Sequence, residues 1–199
     1  SLLAQTATPP AASASAPAVS EPVTMAFTVE VQAPRQVQAY LLRHLDLLRY
    51  RELQDLDDSE LERLQIAAER NTRDLLGTLG YFSPQIEISR VGSSSGDIPS
   101  ARIVRIAVQP GPPTLVTSAA VQFSGAIASD PDAIGQRSDI ERRWALPPGK
   151  PFTQEGWDEA KTQALRQLAA RRYPLGRIAT SRAEIDPQEN SARLGVTLD

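Results

Sequence analysis

The sequence predicts an α+β protein of two tandem βααββ units, each a three-stranded mixed sheet covered on one face by two helices. Three observations carry this. Segments in which every second residue is apolar alternate with segments of helical period. The order strand, helix, helix, strand, strand occurs twice along 199 residues. Anchor residues of the two copies stand 92 apart: Val29 and Val121, Val31 and Phe123, Tyr81 and Tyr173, Ile86 and Ile178. The expected division is 1–25, 26–110 and 111–199.

Residues 1–25 are mostly Ala, Ser and Pro with little charge. They offer too little apolar surface to offset the entropy of ordering them, so a flexible lead-in is expected. The small residues of "SLLAQTA" suit the tail of a secretory signal, although the charged and long apolar parts of one are not in this sequence. "FTVEV" (27–31) alternates as a strand. "APRQVQAYLLRHLDLL" follows with Val37, Leu41, His44 and Leu48 on one helical face, and Pro34 suits its first turn. The second helix starts at Asp57. Asp57 and Glu60 have the spacing of a capping box, and Leu56 and Leu61 that of a hydrophobic staple. Its apolar face runs through Leu61, Leu64, Ala68, Leu75, Leu76 and Leu79, and Gly80 is the residue able to turn left-handed past its end. "QIEIS" (85–89) and "RIVRIAV" (102–108) are alternating strands joined by "GSSSGDIPS".

"PGPP" (110–113) breaks the chain and the order restarts. "AAVQFSG" (119–125) reads as a strand. Ser138 and Glu141 have capping-box spacing on "SDIERRWAL", which "PPG" (147–149) stops. Thr153 caps the next helix, with Phe152 and Trp157 as its staple, and that helix is expected to reach Arg172. "RIATSRAEID" and "ARLGVTLD" form a closing hairpin. The cap of the long helix moves by 96 rather than 92, so the second copy is shorter by one turn, which keeps its buried face in phase. Each copy places an aromatic, Tyr81 or Tyr173, where helix and strand diverge. A large ring there plugs the end of the layer and leaves its hydroxyl in reach of water. "RRYP" replaces "LGYF" in the second copy, so a different turn is expected.

Composition narrows the function. No apolar run approaches the roughly 20 residues of a spanning helix. The net charge of -3 gives no nucleic-acid footprint. There is no cysteine, which excludes disulfides and thiolate chemistry. His44 is the single histidine and is best read as an ordinary helix residue. Asp57, Asp58 and Glu60 are explained by capping and by the helix dipole rather than by acid–base work. Ser93–Ser95 carry no partner base. No phosphate loop, metal-spaced cluster or nucleophile elbow is visible. The reading is therefore not an enzyme, with no cofactor and no metal.

The repeated βααββ unit with an aromatic after its second helix resembles the POTRA (polypeptide-transport-associated) domain. "VEVQAP", "RHLDL", "LLGTLGYFSPQIEI" and "VQPGPPTLV" are similar to the first such unit of the TamA family. "LPPGKPFTQEGWDEAKTQALRQL" and "RRYPLGRI" are similar to its second, over about Ala26 to Asp199. The resemblance implies a periplasmic, non-catalytic interaction module of a factor that assembles or translocates outer-membrane proteins. It implies a TamB-like inner-membrane partner and unfolded outer-membrane or autotransporter clients. It also implies a further POTRA unit and a C-terminal membrane β-barrel beyond Asp199. Alternatives are a core barrel-assembly protein, a two-partner secretion transporter, a structural spacer, or a periplasmic α+β hydrolase.

A small sheet covered on one side leaves an edge whose N–H and C=O groups can pair with an extended peptide. In POTRA domains that edge is the strand after the second helix. The resemblance places it at Gln85, Ile86, Glu87 and Ile88, and at Ile178, Ala179, Thr180 and Arg182. The alternative is that these edges are covered or merely solvated. A second candidate is a basic surface of Arg166, Arg171, Arg172, Arg177 and Arg182, suited to anionic headgroups or an acidic partner.

Overall fold

The computed structural model describes residues 25–92 and 102–199. The expected lead-in, apart from Met25, and the Ser93–Ser95 loop lie outside the described residues. The first unit contains β1 (Thr28–Gln32), α1 (Arg35–His44), α2 (Asp58–Thr78), β2 (Gln85–Gly92) and β3 (Arg102–Gln109). The second contains β4 (Leu115–Phe123), α3 (Gly125–Ser129), α4 (Ile134–Arg142), α5 (Gln154–Ala169), β5 (Ile178–Asp186) and β6 (Ser191–Leu198).

Two separate three-stranded sheets form, ordered β1-β3-β2 and β4-β6-β5. The first strand of each unit runs parallel to its central strand, and the strand after the long helix runs antiparallel to it. The 92-residue offset extends to pairing: Val29 faces Val104 and Val121 faces Val196. Each sheet buries one face under its own helices. Leu41, Leu61, Leu76, Val104 and Ile106 centre the first core, and Ile127, Ile140, Trp157, Leu168 and Leu198 the second. Glu30 and Arg105, directly opposite on β1 and β3, make an ion pair at 3.2 Å, a cross-strand pair with both side chains part-exposed.

The caps follow local chemistry. Glu60 N–H donates to Asp57 Oδ1 at 2.8 Å and Asp57 N–H donates to Glu60 Oε2 at 3.1 Å, closing both sides of the capping box. Thr153 Oγ1 accepts from Gly156 N–H at 3.0 Å. Leu56, Leu61, Phe152 and Trp157 are all buried, as staples require. The long helices have 21 and 16 residues. The buried face of α2 includes Thr72, whose hydroxyl donates to Ala68 O at 2.7 Å, so a polar side chain fits a core position by bonding its own helix.

Four expectations are corrected. β4 begins at Leu115, because the Pro-rich linker already runs extended into it. The Ser138–Glu141 capping box does not form. A 3-10 turn at Pro131–Ala133, with Asp130 accepting from Asp132 N–H, leads into α4 at Ile134, so Ser138 lies inside a helix already begun. α5 stops at Ala169 rather than Arg172, and the five-residue α3 adds a helix that the pattern did not signal. His44 is the last residue of α1 and is exposed against the Tyr40 ring at 4.5 Å; Leu45 takes the buried position instead.

Candidate functional site

Topology puts both candidate strands at sheet edges. β2 lies outside β3 and β5 lies outside β6. The two edges differ in regularity. β2 keeps an unbroken antiparallel register from Gln85 opposite Gln109 to Gly92 opposite Arg102. Ile86 and Ile88 pack half-buried on the first core, while Gln85 and Glu87 are exposed. β5 breaks register between Ile178 and Thr180, leaving Ala179 as an extra residue. Such a bulge bends and twists an edge, which makes it a poorer template for a straight incoming strand.

The basic surface is largely neutralised. Arg172 pairs with Asp130 at 3.2 Å and Asp132 at 3.5 Å, and Arg177 with Asp199 at 3.0 Å. Arg182 pairs with Glu184 at 2.6 Å. Arg166 and Arg171 are exposed on and after the end of α5. No row of uncompensated cations results, because acidic side chains from the α3–α4 connection, β5 and Asp199 fold back on three of the five. Tyr173 Oη donates to Asp130 Oδ2 at 2.8 Å. That bond, the Asp132 amide and Arg172 hold the Asp130 carboxyl below its ordinary pKa, and Asp130 in turn raises Arg172. Desolvation raises the Tyr173 phenol, and the bond to Asp130 adds to this.

The carboxylates at the start of α2 are engaged. Asp57 and Glu60 cap the helix, and Asp58 lies 3.4 Å from Arg90 and 3.6 Å from Arg102. Among the described residues no group of three or more His, Asp or Glu is placed to hold a metal ion, and no helix is long and apolar enough to cross a membrane.

The aromatic pair after α2 has a role that the sequence reading only half identified. α2 closes with a left-handed Gly80 (φ 93°), with Gly80 N–H on Gly77 O and Tyr81 N–H on Leu76 O. Tyr81 then packs on the first core, while Phe82 packs on the second. The Phe82 ring lies 6.1 Å from Phe152. Backbone bonds tie the same place. Thr114 N–H donates to Gly80 O at 2.9 Å, and Phe152 N–H donates to Thr114 O at 2.8 Å. Ser83 Oγ donates to Asn190 Oδ1 at 2.6 Å. A Cβ on Gly80 would overlap the Phe152 carbonyl oxygen, so only glycine admits this approach. The sequence carried one signal for this difference: the second copy has Pro174 where the first has Phe82.

Residues 29–110 match the family model described as POTRA domain TamA domain 1. No curated protein sequence matches the chain significantly. Solved structures similar to it include POTRA3–5 of Haemophilus influenzae BamA (14% identity, TM-score 0.41, covering 88% of this chain and 66% of that one). They also include POTRA1–3 of the periplasmic domain of Omp85 from Anabaena (18% identity, TM-score 0.42, 85% and 59%). CdiB from Escherichia coli is similar at 14% identity and TM-score 0.34, with coverage of 96% and 29%. The chain thus spans less than two thirds of each of these three.

Proposed function

From the match of residues 29–110 to the family model described as POTRA domain TamA domain 1, we propose that the chain is a periplasmic, non-catalytic docking module of an outer-membrane protein assembly or translocation factor. In this reading it binds a TamB-like inner-membrane partner and captures unfolded outer-membrane or autotransporter clients as added β-strands. The observation that supports it is the pairing of that family match with β2, an eight-residue edge strand in unbroken register. Main-chain pairing of this kind is tolerant of client sequence, since it reads peptide groups rather than side chains.

Photo-crosslinking tests the proposal. A benzophenone amino acid replaces Glu87 on β2 in one variant and Glu69 on the exposed side of α2 in another. The Glu87 variant is expected to trap outer-membrane polypeptides in cells, and the Glu69 variant to trap none. Equal yields from the two positions, or none from Glu87, would count against it. The spacer reading draws on the joint at Gly80 and Phe82, which couples the units; it predicts no adduct from either variant.

A further inference from the structure

In the second unit, α4 and the end of α5 enclose a cleft of about 230 Å³. Gln136, Asp139 and Arg143 reach it from one side, and Gln167 and Arg171 from the other. Gln136, Asp139 and Arg143 follow at steps of three and four residues, which sets them on one helical face. Gln167 and Arg171 are likewise four apart, across the end of α5. Two guanidinium groups that lie 28 residues apart in the chain thus line the same small space.

An arginine just past a helix usually bonds the last carbonyls or pairs with an acid. Neither explains this pair. Gln136 Nε2, a neutral donor, already bonds Gln167 O at 3.0 Å and Leu168 O at 3.1 Å near the end of α5. At the end of α4, Asp139 O and Glu141 O accept from the main-chain N–H groups of Arg143 and Trp144 at 3.0 and 3.3 Å. Neighbouring arginines do have acids: Arg142 pairs with Asp139, and Arg172 with Asp130 and Asp132. Among the described residues, by contrast, no hydrogen bond or ion pair engages the guanidinium of Arg143 or of Arg171, and both residues are exposed. The carboxylate in the cleft wall, Asp139, has its charge offset by Arg142. Two positive charges are therefore left facing the cleft without a counter-charge.

We propose that the α4–α5 cleft binds a phosphate group between Arg143 and Arg171. Each guanidinium presents a planar fork of N–H donors. A carboxylate offers two oxygens in one plane, which suits a single fork. A tetrahedral phosphate offers oxygens in several directions, which suits two forks carried by different helices. The cleft admits such a group but falls below the roughly 300 Å³ at which sites for larger organic ligands begin. The phosphate belongs to a soluble ester or to a phospholipid headgroup, and the chemistry at the two arginines is the same for both. The site uses no sheet edge, so it stands apart from the strand pairing proposed for β2.

NMR titration of the isotopically labelled 199-residue chain with inorganic phosphate at low salt tests this. Shifts are expected at the Arg143 and Arg171 amides and at the Gln136 and Gln167 side chains. Arg143→Gln with Arg171→Gln should weaken binding about tenfold. Arg63→Gln with Arg70→Gln removes the same charge from exposed positions on α2 and should leave it unchanged. A second arm compares sedimentation with vesicles of phosphatidylcholine alone and of equal parts phosphatidylcholine and phosphatidylglycerol. Retention on the anionic vesicles that inorganic phosphate competes away assigns the group to a lipid; phosphate binding without retention assigns it to a soluble ester. No shifts at millimolar phosphate, equal losses in the two double variants, or tighter binding of hexaglutamate than of phosphate at the same residues would overturn the proposal.

Discussion

At Gly80 the two units touch, and the other unit's main chain fills the space a side chain there would need. Gly80→Ala must both hold a left-handed φ and push back the Phe152 carbonyl. A loss of about 2 kcal/mol is expected in urea unfolding. The Thr114 amide, which donates to Gly80 O, should exchange faster; an unchanged rate there would show that the contact survives. Asp130 carries the second residue-scale prediction. Its carboxyl is held below the ordinary 3.8, first by Tyr173 and then by the Asp132 amide and Arg172. A depressed folded pKa adds stability that is fully present above the unfolded value and disappears as pH falls through the folded one. Tyr173→Phe should therefore reduce the stability that the wild type loses on acidification below about pH 4. Thermal unfolding of both proteins at pH 3 and pH 7 measures this, and identical pH dependence would exclude the bond as its source. The left-handed glycine was legible because a helix end followed by a strand calls for one. Phe82's destination was not, since its partner Phe152 belongs to another core and no local pattern links them.

At the scale of elements, the two serine and threonine caps expected in the second unit separate cleanly. Thr153 bonds the Gly156 amide at the start of α5, whereas exposed Ser138 sits within α4 and bonds no free amide. Thr153→Ala is expected to cost about 1 kcal/mol and Ser138→Ala less than about 0.5. Chemical denaturation of the pair decides it, and equal losses would contradict the assigned start of α4. The reason for the misreading is physical. Serine followed three residues later by glutamate is a cap only where the chain enters a helix, and here entry occurs earlier, through Asp130 and Pro131. Strand positions were readable by contrast, because period-two alternation marks half-buried strands directly and the repeat supplied each segment twice. The bulge in β5 was not readable as such: "IATSR" alternates less cleanly than "QIEIS", but the extra residue appears only against its partner strand.

On the scale of the whole molecule, Phe82 makes the two cores partly dependent on each other. It leaves the first unit's loop and packs beside Phe152 in the second, while α2 and α5 also come into contact. Phe82→Ala should leave both folds intact and lower the stability of the second unit by about 2 kcal/mol. NMR relaxation should give one tumbling time for both halves of the wild type and two for the variant; two times in the wild type would show that the joint does not hold them. The interaction surfaces were legible to different degrees. The β2 edge was expected from the family resemblance, and the strand order β1-β3-β2 puts it there. Three of the five arginines of the expected basic face are ion-paired in the fold, and the sequence could not show this because Asp130 and Asp199 lie far along the chain from Arg172 and Arg177.

The linker between β3 and β4 is only Pro110–Thr114, and its last residue is hydrogen-bonded to both bodies at once. It has no slack to pay out. A polypeptide gripped simultaneously on rims of the two sheets would therefore be held across a constant span, and the protein would act on it as a fixed gauge rather than as two hands on a cord.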